Sequence, residues 1–101
     1  MDTGGLIGCW QRIEPSVEGE LAAEIQFRGH GQLRYCVLTF DSWQIMKLTY
    51  CVEGDALITD QPFAPRMERT RILFEQDGTL VLEYQGVRSK FRRGDCLAPD
   101  V

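Results

Sequence analysis

Apolar and polar residues alternate along most of this chain, and short glycine-containing segments interrupt the alternation at intervals. An apolar residue at every second position is typical of a β-strand that buries one face. The wider apolar spacing of a long amphipathic helix is not found in any segment. The pattern therefore predicts an all-β protein built from antiparallel hairpins.

The turn at residues 29–31 gives the clearest test of this interpretation. Folding the chain about it pairs apolar residues with apolar residues on one face and polar residues with polar residues on the other. This division predicts a strand pair with one buried side and one side toward solvent. The predicted pairs are Phe27–Leu33, Ile25–Tyr35 and Ala23–Val37 on the apolar face, and Arg28–Gln32 and Gln26–Arg34 on the polar face.

Other turns extend the same pattern. A turn at residues 41–42 selects the same buried face of the third strand as the first hairpin, and residues 53–55 form a turn whose register the sequence leaves open. Residues 60–66 contain two prolines and are predicted as a loop, because proline cannot donate a ladder hydrogen bond. The remaining predicted pairs are Val37–Met46, Tyr35–Leu48 and Leu33–Tyr50; Phe74–Leu80, Ile72–Leu82 and Thr70–Tyr84; and Tyr84–Val87, Leu82–Ser89 and Leu80–Phe91.

An N-terminal strand over residues 6–14 brings the number of predicted strands to eight, all in meander order. Residues 1–93 are predicted to form one domain, and residues 94–101, which alternate little, a flexible tail. A flat meander would expose two strand edges, whereas closure into a barrel removes them. The sequence predicts an eight-stranded antiparallel barrel, or a strongly curved half-barrel that dimerises.

The first predicted strand carries the motif Gly8-Cys9-Trp10, and the last ends with Arg92 and Arg93. Together with the meander of eight strands, this G-x-W motif resembles the lipocalin-like, or calycin, group, and the short chain is most similar to its small bacterial members. The resemblance implies a tryptophan that closes the barrel floor and an inward arginine, Arg93 ahead of Arg92, packed on its ring. It also implies ligand binding inside the barrel. The T-D-Y triplet, long lid loop and helix of the longer lipocalins are missing.

The side chains that face the interior by alternation include all three tyrosines of the chain. A buried tyrosine hydroxyl needs a polar partner, so the three could orient a ligand that is apolar with a few polar atoms. This interpretation predicts a non-enzymatic protein that binds a small apolar or amphipathic molecule. The alternative is a core filled by its own side chains. The candidate ligand-binding residues are Trp10, Tyr35, Tyr50, Phe74, Tyr84 and Ser89.

The same alternation places a cluster of large apolar side chains on the outer face of the second hairpin. Such a cluster on a solvent-facing sheet is typical of a contact surface, which predicts a homodimer. The alternative is that another segment of the chain covers the cluster. The candidate interface residues are Leu38, Phe40, Trp43 and Ile45.

Residues that would carry catalysis or hold a metal are scattered along the sequence. His30 is the single histidine and lies at a predicted hairpin tip. No two cysteines have C-x-x-C spacing, and no acidic pair converges, so we expect no metal site, no cofactor and no enzymatic activity. The four cysteines, Cys9, Cys36, Cys51 and Cys96, are interpreted as reduced thiols of a cytoplasmic protein, with a disulfide framework as the alternative.

The net charge of −4 and the distribution of charges restrict the partners. The basic residues at positions 88–93 alternate along a predicted strand, which favours a solvated face over a nucleic-acid site. No apolar run approaches the ~20 residues that a membrane helix needs. The first five residues have neither the basic nor the apolar region of a secretory signal. We therefore expect neither a nucleic-acid nor a membrane partner.

Overall fold

The computed structural model describes residues 5–62 and 65–100, and these form an antiparallel β-barrel. The strands follow one another around the barrel in chain order, and the pairing of β1 with β8 closes it. The all-β meander is confirmed, and the barrel is closed rather than half-open. The described residues contain no α-helix. The strands are β1 (Gly8–Glu14), β2 (Ala22–Arg28), β3 (Gln32–Leu38), β4 (Trp43–Glu53), β5 (Ala56–Asp60), β6 (Glu68–Phe74), β7 (Leu80–Tyr84) and β8 (Val87–Gly94).

Three hairpins have the predicted register, because each turn sets the pairing and the alternation sets the faces. Across β4 and β5, the pairing of Glu53 with Ala56 supplies the register that the sequence left open. The confirmed pairs include Phe27–Leu33 and Ile25–Tyr35 across β2 and β3, Ile72–Leu82 and Phe74–Leu80 across β6 and β7, and Leu82–Ser89 and Leu80–Phe91 across β7 and β8.

The register predicted between β3 and β4 is wrong by two residues. Tyr35 lies opposite Met46 instead of Leu48, and Leu33 lies opposite Leu48. The turn is centred on residues 40–41, one position earlier than predicted, because Leu38 pairs with Trp43 and the Thr39 amide donates to the Ser42 carbonyl at 3.0 Å. A shift of two residues leaves every side chain on its predicted face, since the side-chain period of a strand is two.

Trp10 fills the closed end of the barrel, and Arg93 covers its ring. The guanidinium carbon of Arg93 lies 4.3 Å from the centre of the ring, which is a cation–π contact. The same guanidinium donates a hydrogen bond of 2.7 Å to the Ile7 carbonyl and another to the Gly5 carbonyl. The Trp10 indole donates to the Leu6 carbonyl at 2.9 Å. Of the two arginines proposed from the sequence, Arg93 is therefore the one that packs on the tryptophan.

Gly8 is required by this arrangement for two reasons. Its φ of +134° is rarely adopted by a residue with a side chain. A Cβ added at Gly8 would also lie 2.5 Å from Nη1 of Arg93. The glycine of the G-x-W motif thus leaves the space through which Arg93 reaches the N-terminal carbonyls.

Replacing Gly8 with Ala is expected to lower the free energy of unfolding by about 2 kcal/mol, because the new side chain strains the backbone and displaces Arg93. Urea denaturation monitored by tryptophan fluorescence measures the change. Gly29→Ala is the matched control, since a Cβ there meets nothing within 4 Å and φ is not positive. Equal stability of the two variants would contradict a special role for Gly8.

A disulfide joins Cys9 on β1 to Cys96, with the two Cα atoms 5.3 Å apart. Cys96 belongs to residues 95–100, here called the C-terminal segment, which follows β8. The prediction that all cysteines are reduced is therefore wrong for this pair. Closure of the barrel brings the end of β8 beside the start of β1, and sequence spacing alone does not reveal this proximity. Cys36 and Cys51 remain as free thiols, one buried and one exposed.

The C-terminal segment lies against the outer, polar face of β1, β2 and β3. The Glu24 carboxylate accepts hydrogen bonds from the backbone amides of Leu97 at 2.8 Å and Ala98 at 3.2 Å. Arg34 donates to the Pro99 carbonyl at 2.8 Å. Polar side chains that alternation predicted to face solvent are consequently buried, among them Glu24, Gln26 and Arg34. The sequence pattern did not predict these contacts.

Candidate functional site

The barrel encloses a cavity of about 540 Å³ at the end opposite Trp10. Inward-facing side chains fill the closed end with a continuous apolar core, and this packing stops part-way along the strands. Met46 and Val87 lie at the open end and are exposed to solvent. The interior is therefore packed at the Trp10 end and leaves a cavity that opens at the other end.

The cavity has apolar walls and a more polar mouth. The walls come from the inner faces of β2 to β8, and the polar groups other than Tyr35 lie on β5 to β8 and the β7–β8 turn, toward the open end. Most small-molecule sites in proteins combine such apolar walls with a few placed polar groups. The apolar lining residues include Ile25, Leu33, Leu48, Leu57, Leu82 and Phe91, and the polar ones are Thr59, Glu68, Thr70, Gln85 and Ser89, together with Tyr35 and Tyr84.

Three of the six predicted ligand-binding residues line this cavity: Tyr35, Tyr84 and Ser89. Burial raises the pKa of the Tyr35 phenol, and the positive charge of Arg12 offsets part of that increase. All three residues come from strand positions whose facing the alternation predicted correctly. The structure thus brings together three of the four polar residues in the predicted set, all except Tyr50.

The other three predicted residues, Trp10, Tyr50 and Phe74, belong to the closed end. The Trp10 and Phe74 rings pack with their centres 5.8 Å apart. Tyr50 packs edge-on against Phe27 at 5.3 Å, and its hydroxyl donates to the Arg28 carbonyl at 3.2 Å. These aromatic side chains support the floor of the barrel, and a ligand in the cavity would not touch them directly.

Glu68 at the mouth was not singled out from the sequence, although it begins β6 in phase with the inward Thr70 and Ile72. Its carboxylate lies 3.2 Å from Nε of Arg66, whose side chain is 72% exposed. A hydrogen bond to Glu68, together with partial burial and the charge of that carboxylate, raises the pKa of the Tyr84 phenol. The signal that could have identified Glu68 is the correctly predicted register of β6.

Arg12 is a second inward charge that the sequence interpretation missed. It lies on the inner face of β1 and forms a salt bridge of 2.6 Å with Glu20, on the connection to β2. Glu20 and Tyr35 also border a smaller cavity of about 390 Å³ beneath the β3–β4 hairpin. Arg12 thus has an acidic partner and is not among the residues that line the larger cavity.

The candidate interface residues occupy different environments. Phe40, in the loop between β3 and β4, is 91% exposed. Leu38, Trp43 and Ile45 are only partly exposed, and Ile45 borders the smaller cavity. The exposed part of the predicted patch is therefore concentrated on one loop side chain, and the homodimer stays a prediction.

Comparison of the chain with models of protein families, with curated proteins and with solved structures finds no match. Within residues 5–62 and 65–100, no helix is long and apolar enough to cross a membrane. The same residues contain no group of three or more potential metal ligands close together.

Proposed function

We propose that this protein is a non-enzymatic, lipocalin-like binding protein that holds a small apolar or amphipathic molecule in the open half of its barrel. The single observation that carries the proposal is the cavity of about 540 Å³, which is within the ~300–1,000 Å³ usual for ligand pockets. An apolar chain would fit along the walls, and its polar end would meet the hydroxyl and carboxylate groups at the mouth.

The surroundings of the mouth also support this function. Leu21, Phe40 and Met67 lie on three different connections at the open end and are largely exposed. Exposed apolar side chains next to an apolar cavity favour the entry of an amphipathic molecule.

A binding role fits the side chains better than a catalytic one. The lining residues within the described chain include one carboxylate but no histidine or cysteine. His30, the single histidine, is exposed at the closed end of the barrel, in the turn between β2 and β3. The partners of that carboxylate, Glu68, are the Tyr84 hydroxyl and Arg66, and neither forms with it the histidine-based relay that activates a nucleophile.

Membership of the lipocalin-like group is part of the proposal. Its support is the contact between Arg93 and Trp10, with Gly8 providing the space. The cytoplasmic location was inferred from reduced thiols, and the Cys9–Cys96 disulfide removes that ground, because disulfides are commoner in oxidising compartments. Location thus stays a prediction to be tested by thiol labelling of the protein in its native host.

Filling the cavity is expected to abolish binding. Ser89→Trp places a large ring in the cavity, and we expect the affinity for decanol, measured by isothermal titration calorimetry, to fall by about tenfold or more. Arg88→Trp is the matched control, because Arg88 lies next along β8 on the exposed outer face. Equal decanol binding by the two variants, or no binding by the unmodified protein, would rule out the cavity as a binding site.

A further inference from the structure

We propose that the cavity selects amphipathic molecules with a cationic head group, such as a long-chain amine or quaternary ammonium, and that the Glu68 carboxylate contacts that group. The inference rests on the proposed function and specifies the class of ligand. It follows from where the charges at the mouth lie and from which of them are already paired.

Glu68 is the one carboxylate among the described lining residues, and these residues include no lysine, arginine or histidine. It lies where the apolar wall ends and the solvent begins, with its side chain 32% exposed. A chain lying along the wall would therefore bring its head group next to a negative charge. A partly shielded carboxylate attracts a cation more strongly there than it would in open water.

The other charges near the mouth are less suited to contact a ligand. Arg66 is bound to Glu68 at 3.2 Å, but it is exposed and does not line the cavity. An exposed ion pair of this kind is weak, so a cationic head group could replace Arg66. Arg12 is buried against Glu20, and a carboxylate ligand would find it already occupied. A fatty-acid head group would also meet repulsion from Glu68.

Uncharged groups around Glu68 complete the head-group site. Thr59 is its cross-strand neighbour on β5, and both residues line the cavity. Tyr84 and Gln85 follow on the other side, with the Gln85 amide 3.3 Å from the Tyr84 hydroxyl. The hydroxyl oxygens of Thr59 and Tyr84 and the side-chain carbonyl oxygen of Gln85 can accept hydrogen bonds from a primary ammonium. The same oxygens can lie against the methyl groups of a quaternary ammonium.

Three ligands with the same ten-carbon chain separate the head group from the chain: decyltrimethylammonium, decanoate and decanol. Isothermal titration calorimetry with the unmodified protein is expected to give about five- to tenfold tighter binding of decyltrimethylammonium than of decanoate. Glu68→Gln is expected to lower the affinity for the ammonium by about fivefold and to leave decanol within about twofold. Glu83→Gln makes the same charge change on the outer face of β7 and serves as the control.

Arg66→Gln provides a second variant, because Arg66 is exposed and its loss does not threaten folding. Removing this competing cation is expected to raise the affinity for decyltrimethylammonium about two- to threefold. Unchanged or weaker binding in Arg66→Gln, or equal ammonium affinity in Glu68→Gln and the unmodified protein, overturns the inference. If decanol still binds in those cases, the proposed function stands. If none of the three ligands binds the unmodified protein, both fail.

Discussion

Replacing Cys96 with Ser is expected to lower the free energy of unfolding by about 3–4 kcal/mol and Tm by roughly 15 °C. The Cys9–Cys96 disulfide closes a loop with a sequence separation of 87 residues. A cross-link over so long a loop removes much of the conformational freedom of the unfolded chain. Calorimetric thermal unfolding of oxidised protein measures the difference.

Cys51→Ser is the matched control, because Cys51 is an exposed free thiol. Its effect on the free energy of unfolding is expected to stay within about 0.5 kcal/mol. Thiol titration of the unfolded, oxidised protein should find two reactive groups, those of Cys36 and Cys51. Four reactive thiols, or an unchanged Tm in Cys96→Ser, would show that the cross-link does not stabilise the protein in solution.

Hydrogen exchange separates a global effect from a local one. The Leu97 and Ala98 amides donate to Glu24 and should be protected from exchange in the oxidised protein. Without the cross-link, the C-terminal segment is held by hydrogen bonds, by the buried Ala98 and by ion pairs such as Arg28–Asp100. Faster exchange at these two amides, with β2 still protected, is the expected local signature.

Strand facing could be predicted because it needs only a period of two residues and the positions of the turns. Tyr35, Leu48, Leu82 and Phe91 all reach the same cavity, as the alternation predicted. For the same reason, the two-residue error in the β3–β4 register left every side chain on its predicted face. The position of the turn fixes the register, and the chain has no glycine within residues 39–42 to mark it.

The depth of packing could not be predicted by the same method. Alternation places Trp10, Phe74 and Tyr84 inside the barrel, but it does not show at which level along the axis each one lies. The strands tilt and stagger around a barrel, so that level depends on all the registers together. This is why the predicted binding residues were divided between the floor and the cavity.

The sequence also did not predict the contacts that form where β1 and β8 close the barrel. Cys9 and Cys96 meet because β1 pairs with β8, and no local pattern records that pairing. Gln26 and Arg34 are buried because the C-terminal segment lies over them. A polar residue on the outer face of a strand is normally solvated, so the sequence indicates burial there only once the covering segment is known.

Glu24 is the residue on which we expect the covered face to depend most. The carboxylate is fully buried and accepts hydrogen bonds from the amides of Leu97 and Ala98 and from the side chains of Gln11 and Gln26. Burial by itself raises the pKa of Glu24, but the hydrogen bonds from Leu97, Gln26, Ala98 and Gln11 outweigh it and lower the pKa below the ordinary value of 4.5. The ionised form is therefore the one that stabilises the fold.

The lowered pKa fixes the direction of the pH dependence. The unfolded chain binds the proton more tightly than the folded one does, so the stabilisation by Glu24 is complete above the unfolded pKa, near 4.5. It is lost as the pH falls through the lower pKa of the folded state. Glu24→Gln is expected to cost about 2 kcal/mol at pH 7, because an amide nitrogen would face donors that need an acceptor.

The comparison of Glu24→Gln with the unmodified protein should therefore change with pH. We expect the difference in the free energy of unfolding, from urea denaturation at several pH values, to shrink below pH 4.5. Glu53→Gln, at an exposed carboxylate beside the β4–β5 turn, is the control and should differ little from the unmodified protein at any pH. A Glu24→Gln difference that stays constant from neutral to acid pH would mean that the carboxylate charge does not hold the C-terminal segment in place.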